Sequence, residues 1–302
     1  MAAVRSPAPD TLLVMINSGR NVVLMLVGVV MLAGPPNGRP TYTQPAPAAT
    51  SSKLSWAEVL EQNPDPKVVT DADFLKRIKS TGLPWRVTHK SAGIEMLLVP
   101  PGTFMMGASP GDTQASDDEK PAHEVTITKA FYLGRTAVTQ AQWFKVMDET
   151  PSQFRGESLP VDSVSWNDIS VFLKKASGGL QLPTEAEWEY ACRAGTKGAT
   201  YGDLDLLAWH SGVSAGTTHA VGKLQPNALG FCDMLGNVYE WCHWYHASGP
   251  ATGSSRLLRG GDWLYDSDYC HAQRAKRFYI TPHDLSPDDF SNFGGFRVVR
   301  TP

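Results

Sequence analysis

Two carboxylates and two backbone carbonyls converge within one short stretch, Asp233-Met234-Leu235-Gly236-Asn237-Val238-Tyr239-Glu240-Trp241. Asp233 and Glu240 supply charged oxygens. Gly236-Asn237 tolerates left-handed backbone, which can turn the carbonyls of Gly236 and Val238 toward the same point. Hard oxygen donors in that number suit Ca2+, which takes six to eight of them. The plainer reading is a rigid turn whose acids cap backbone N–H groups. Cys270 is the second chemical candidate, as a thiol followed by His271. Alone, it reads first as a small buried hydrophobe, since reactivity needs a depressed pKa. The other cysteines are Cys192, Cys232 and Cys242; Cys232 and Cys242 flank the calcium-type loop. The eight histidines form no zinc spacing. His243 and His246 make an H-x-x-H without a carboxylate partner.

The elements that must position these residues are short. Ser55-Trp56-Ala57-Glu58 has the capping-box pattern and predicts a short helix. Thr70-Asp71-Ala72-Asp73 opens another, with Phe74, Leu75 and Ile78 on one face and Gly82 as its stop. MLLVPPGTFMMG, from Met96 to Gly107, reads as two strands broken at Pro100-Pro101-Gly102. The acidic stretch Ala108 to Glu119 reads as a surface loop. HEVTITKAFYLG alternates like a half-buried strand. Thr139, Ser165 and Thr184 cap three further helices, and strands follow near Arg256 to Leu258 and Phe296 to Arg300.

Composition narrows the class. Of 302 residues, 42% are hydrophobic, 27 are Gly, 22 are Pro and 9 are Trp, which suits a loop-rich domain pinned by aromatics rather than a helical bundle. The net charge of -3 and pI of about 6.2 give no broad reason to bind nucleic acid. The cluster Arg274, Lys276 and Arg277 is too short to change that. Val22 to Ala33 is an uncharged apolar run behind Arg20. It is too short to span a bilayer and suits the apolar core of a secretory signal. A start at Met15 would make that signal more ordinary. Residues 1–33 are therefore expected to be a signal peptide or, uncleaved, an N-terminal anchor. Residues 34–52 read as a Pro-rich linker, 53–93 as a short helical accessory segment, and 94–302 as the main domain. The expected product is exported, periplasmic or secreted, and monomeric.

Seven motifs in order then carry a resemblance: VPPGTFMMG, VTQAQW, VSWNDI, LPTEAEWEYACRAG, NALGFCDMLGNVYEW, LLRGGDW and GGFRVVR. From Ile94 to Arg300 the chain closely resembles the formylglycine-generating enzyme family, the sulfatase-modifying factors. The resemblance implies an α+β, C-type-lectin-like fold with short helices, short strands and much irregular chain. It implies oxidation by O2 of one cysteine in a sulfatase C-x-P-x-R segment to formylglycine, with Cu(I) held by two thiolates. It implies calcium at Asp233, Gly236, Val238 and Glu240, with Glu119 a weaker candidate ligand. It also implies an unpaired Cys192, because its family disulfide partner falls on Val298.

Two active-site positions depart from the family. The second copper thiolate matches Cys270, but the first falls on Tyr265, a hard phenol that is a poor Cu(I) ligand. The Ser of R-G-G-S-W is Asp262. Three functions compete: an oxidase of a protein thiol, in a sulfatase or another protein, centred on Cys270; a non-catalytic lectin-like module binding a peptide or glycan; and a re-tooled iron site using Asp262, Asp266, Asp268 and His271. Strand pleating disfavours the third.

Overall fold

Apolar runs of four or five residues, cut by Pro and Gly, fold as short strands, and capping side chains fix where helices begin. The computed structural model describes residues 54–302 apart from positions 114, 116, 244, 247–248, 251–255, 274 and 279–293. The signal-type run and the Pro-rich linker lie outside the described residues. The first elements are β1 (Ala57–Glu61), α1 (Ala72–Ser80), β2 (Arg86–His89), β3 (Glu95–Val99), β4 (Gly102–Met106), β5 (His123–Ile127) and β6 (Phe131–Gly134). Helices α2 (Gln140–Met147), α3 (Trp166–Ala176), α4 (Glu185–Arg193) and α5 (Leu204–Leu207) follow. The chain closes with β7 (Tyr239–Cys242), β8 (Tyr245–His246), β9 (Gly249–Pro250), β10 (Arg256–Arg259), β11 (Ala275–Phe278), β12 (Gly294–Gly295) and β13 (Val299–Arg300).

The largest sheet has the order β1-β2-β3-β6-β13. Its register sets Val87 against Met96, Leu97 against Leu133, and Leu133 against Val299. A second sheet, β11-β10-β7-β12, carries the residues of interest, with β12 parallel to β7. The fold is the mixed α+β, C-type-lectin-like arrangement expected.

The helix starts at 139, 165 and 184 are as read from sequence, each closed by a reciprocal capping box with Gln142, Asp168 and Glu187. Asp71 caps α1 through its side chain. The helix expected at Ser55 is corrected: the segment is strand β1, antiparallel to β2, with Val59 opposite Val87. Its short A-E-V-L-E run gains more from sheet pairing than a capping box gives an isolated turn. The accessory segment 53–93 is accordingly not helical throughout. It supplies two strands of the main sheet. The single half-buried strand expected from His123 is two strands, β5 and β6, and all four residues of β6 are buried.

The core stacks Trp143 on Phe172 at 5.3 Å and 6°, with Phe296 edge-on to both. These rings lie on α2, α3 and the segment after β12. Burying each contributes about 1.5–3 kcal/mol and locks the two helices against the sheet that carries the site.

Candidate functional site

The turn after β10 needs two glycines. Gly260 and Gly261 have φ of 99 and 78. A Cβ on Gly261 would lie 2.7 Å from Cys270 Sγ, and one on Gly260 2.8 Å from the Met234 carbonyl. Asp262, fully buried, then closes the turn: its Oδ1 accepts the N–H groups of Leu264 and Tyr265, each at 2.9 Å. A serine could make the same kind of bond without the charge. Tyr265 projects from this turn, half-buried, with its ring 6.4 Å from Tyr239 and 5.2 Å from Tyr269. Leu264 and Tyr269 are exposed beside it.

Cys270 ends a single helical turn at Ser267–Tyr269 and is fully buried. Burial first, and then the Asp262 charge, pushes its thiol up to about 12, while the Gly236 N–H pulls the other way. At neutral pH it is a protonated thiol rather than a thiolate, the form that attacks or binds metal. The donors present do not fit a two-thiolate copper(I) site. The residue at the partner position is a phenol, and the remaining cysteines are buried and unpaired with one another. Burial raises the thiols of Cys192, Cys232 and Cys242 as well. Cys192 is unpaired, as the resemblance implied.

The calcium-type loop has an unequal pair of acids. Asp233 and Asn237 take the left-handed conformation, φ 51 and 65, around Gly236 at 74. Gly236 is held so close to Trp209 that a Cβ would lie 2.5 Å from the Trp209 carbonyl. Asp233 Oδ2 accepts the Gly222 N–H at 2.6 Å, and Oδ1 is buried without a hydrogen-bond partner. Desolvation, opposed by that bond and by Arg297, lifts its carboxyl to about 6. An orphaned, buried carboxylate oxygen fits a hard cation. Glu240 is different. Its Oε2 accepts from Trp188 Nε1 (2.7 Å) and Arg297 Nε (2.6 Å), and its Oε1 from Arg297 Nη2 (2.7 Å). Arg297 also donates to the carbonyls of Gly134, Cys232 and Asp233. So Glu240 is an internal ion-pair partner, and Asp233 is the acid with an open oxygen. Glu119 is buried elsewhere, its carbonyl accepting the Ala108 N–H at 2.8 Å. It does not join the other two: among the described residues no group of three or more His, Cys, Asp or Glu is placed to hold a metal ion.

The same holds for the iron reading. Asp262 caps its own turn, Asp266 accepts from Ser211 Oγ at 2.7 Å, and His271 Nδ1 turns to Asp112 Oδ2 at 3.3 Å. His271 Nδ1 thus lies near an acid without a hydrogen bond to it, and His271 is not among the groups that shift the Cys270 thiol. His243 packs on Trp166 at 5.9 Å and is exposed.

Sequence reading missed a buried polar network behind this site. Glu189 on α4 binds Arg193 Nε (2.8 Å), Arg259 Nη1 (3.0 Å) and the Gly107 N–H (2.9 Å). Arg193 reaches Ser109 Oγ and the Gly107 carbonyl, and Gln273 bonds Asp112. Together these tie α4, β10, the loop after β4 and the segment after Cys270. The available signal was a charged residue inside an apolar stretch, as with Arg297 in G-G-F-R-V-V.

A family model described as a sulfatase-modifying factor enzyme 1-like domain matches residues 80–302. The formylglycine-generating enzyme of Streptomyces coelicolor is 29% identical, over 67% of this chain and 88% of its own. A Mus musculus protein, inactive C-alpha-formylglycine-generating enzyme 2, is 28% identical over 68% of this chain and 85% of its own. Among solved structures, PvdO from Pseudomonas aeruginosa is 27% identical, with a TM-score of 0.59 over 70% of this chain and 95% of that one.

Proposed function

The chain belongs to the sulfatase-modifying factor family, and from that premise we propose that it is an exported, calcium-binding member that binds a polypeptide without oxidising it. One observation carries the reading: the thiol at the family's copper position, Cys270, is buried beside the Asp262 carboxylate, and the partner position, 265, carries a phenol. Two-thiolate copper chemistry has no second sulfur at position 265 here. Calcium, when bound, would be held by Asp233 and the neighbouring loop carbonyls, with Glu240 kept in place by Arg297. It supplies rigidity to the loop beneath the site. The binding surface is the rim of Leu264, Tyr265 and Tyr269. Tyrosine at such a rim offers a large, stiff contact area with a polar tip. The polypeptide is a sulfatase or another exported protein, by analogy with the relatives named as formylglycine-generating enzymes.

The test is direct. Copper-loaded wild-type protein is incubated with a C-x-P-x-R peptide and the peptide weighed by mass spectrometry. The expected result is an unchanged cysteine. Multiple turnovers of the thiol-to-aldehyde mass loss would overturn the reading.

A further inference from the structure

A cavity of about 440 Å3 lies apart from the Cys270 turn, between α1, β4 and the end of α4. Its floor is aromatic: the rings of Phe104 and Phe74 lie 5.3 and 6.4 Å from that of Tyr190. Arg77 stands over Phe74 at 4.2 Å and donates to the Tyr190 hydroxyl at 2.8 Å. Helix α1, one wall of the cavity, lies before the matched residues 80–302 except for its last residue, Ser80.

Strand β4 is paired with β5 alone among the described residues. The groups on its other edge follow from its two ends. The Pro101 carbonyl accepts from Arg77 Nη1 at 3.1 Å. Gly107 donates to Glu189 Oε1 and accepts from Arg193 Nη2. Both residues therefore face away from β5. In an antiparallel pair, alternate residues direct N–H and C=O to the same edge. Thr103 and Met105 thus share the outer edge with Pro101 and Gly107. The 3.1 Å contact of the Thr103 and Thr126 hydroxyls fits the close spacing of a pair that is not hydrogen-bonded across the ladder. Thr103 and Met105 both line the cavity, and the outer edge is the one that carries their N–H and C=O groups. An open strand edge is a template for another strand.

The walls are charged on both sides. Glu124 sits opposite Met105, exposed and without an ion partner among the described residues. Asp71 and Asp73 line the α1 side, Asp73 paired with Arg77 at 3.0 Å. Lys197, exposed and also without an ion partner, stands at the α4 end. We propose that the outer edge of β4 takes an extended peptide of another protein by strand addition. An apolar side chain of that peptide sits on Phe74, Phe104 and Tyr190, a basic residue faces Glu124 and an acidic residue faces Lys197. This site is independent of the reading given for Cys270.

The test uses the full chain and two fluorescein-labelled pentapeptides, Lys-Phe-Val-Phe-Glu and its reversed sequence, because the direction of addition is open; strand alternation puts their Phe side chains on the Phe104 face and Lys on the Glu124 face. One of them should bind saturably. Backbone N-methylation of the peptide, at the central residue or at its neighbours, whichever set faces β4, should weaken binding about tenfold, the worth of one or two hydrogen bonds. Glu124→Lys, an exposed change, should weaken it by about the same factor. Amide hydrogen exchange at Thr103 and Met105 should be fast in the free protein and slow in the complex. Failure of both peptides to bind, or binding indifferent to N-methylation, would overturn the proposal. So would amides already protected in the free chain: protection independent of concentration would assign the edge to residues 1–53, and protection lost on dilution to a second copy.

Discussion

At position 265 a phenol stands five residues before Cys270, where the family resemblance implies a thiolate. Phenol oxygen is a harder ligand than sulfur, and its proton leaves only near pH ~10 when unperturbed. Tyr265→Cys should therefore raise Cu(I) affinity by at least an order of magnitude, read by competition with a chromophoric Cu(I) chelator. Turnover should not follow, because burial first, and then the Asp262 charge, still oppose ionisation of Cys270. Tyr265→Cys combined with Asp262→Ser supplies the second sulfur and removes the charge, leaving burial as what holds the thiol up. A second residue governs the response to acid. Burial, and then the charges of Arg300 and Lys145, push His89 down to about 4. The unfolded chain protonates this imidazole below ~6.5 while the fold keeps it neutral. Its contribution is complete above pH ~6.5 and is lost as pH falls from there toward 4. His89→Gln should flatten that limb of a melting-temperature profile relative to wild type.

At the scale of elements, α4 joins the site to the core. Its capping box starts it at Glu185, Trp188 reaches Glu240, and Glu189 with Arg193 holds the loop after β4. Thr184→Ala should cost about 1 kcal/mol, the usual worth of such a cap. Glu240→Ala should cost roughly 3–5 kcal/mol, since it strands the fully buried Arg297 guanidinium without its counter-charge. Denaturant unfolding of the two variants should separate these effects clearly. An equal loss in both would contradict the central place given to the Glu240–Arg297 pair.

For the molecule as a whole, calcium and export are the properties to measure. A ligand bound only by the native state stabilises by mass action, about 2.7 kcal/mol at a hundred times its Kd. Chelator should lower the melting temperature of wild type, and Asp233→Ala should abolish that difference. An unchanged melting curve would remove the calcium proposal. Protein recovered from its source cell should lack its first ~30 to 50 residues, as signal removal requires. N-terminal sequencing that finds Met1 or Met15 in a soluble cytosolic pool would refute export. No described helix is long and apolar enough to cross a membrane.

The sequence by itself determined the family, the helix starts at Thr139, Ser165 and Thr184, and the phenol at 265 where the resemblance implies a thiolate. Each is written within a few neighbouring residues: a capping box spans four positions, and a motif keeps its own spacing. The same local pattern misled at Ser55, because pairing with β2 outweighs one capped turn. Only the tertiary structure decided that Glu240 belongs to Arg297, that Asp233 keeps the open oxygen, and that Cys270 is buried against Asp262. It alone set α1 across from the outer edge of β4. The physical reason is that burial and charge pairing depend on segments far apart in the chain. Arg297 and Glu240 are 57 residues apart, and no window of sequence holds both.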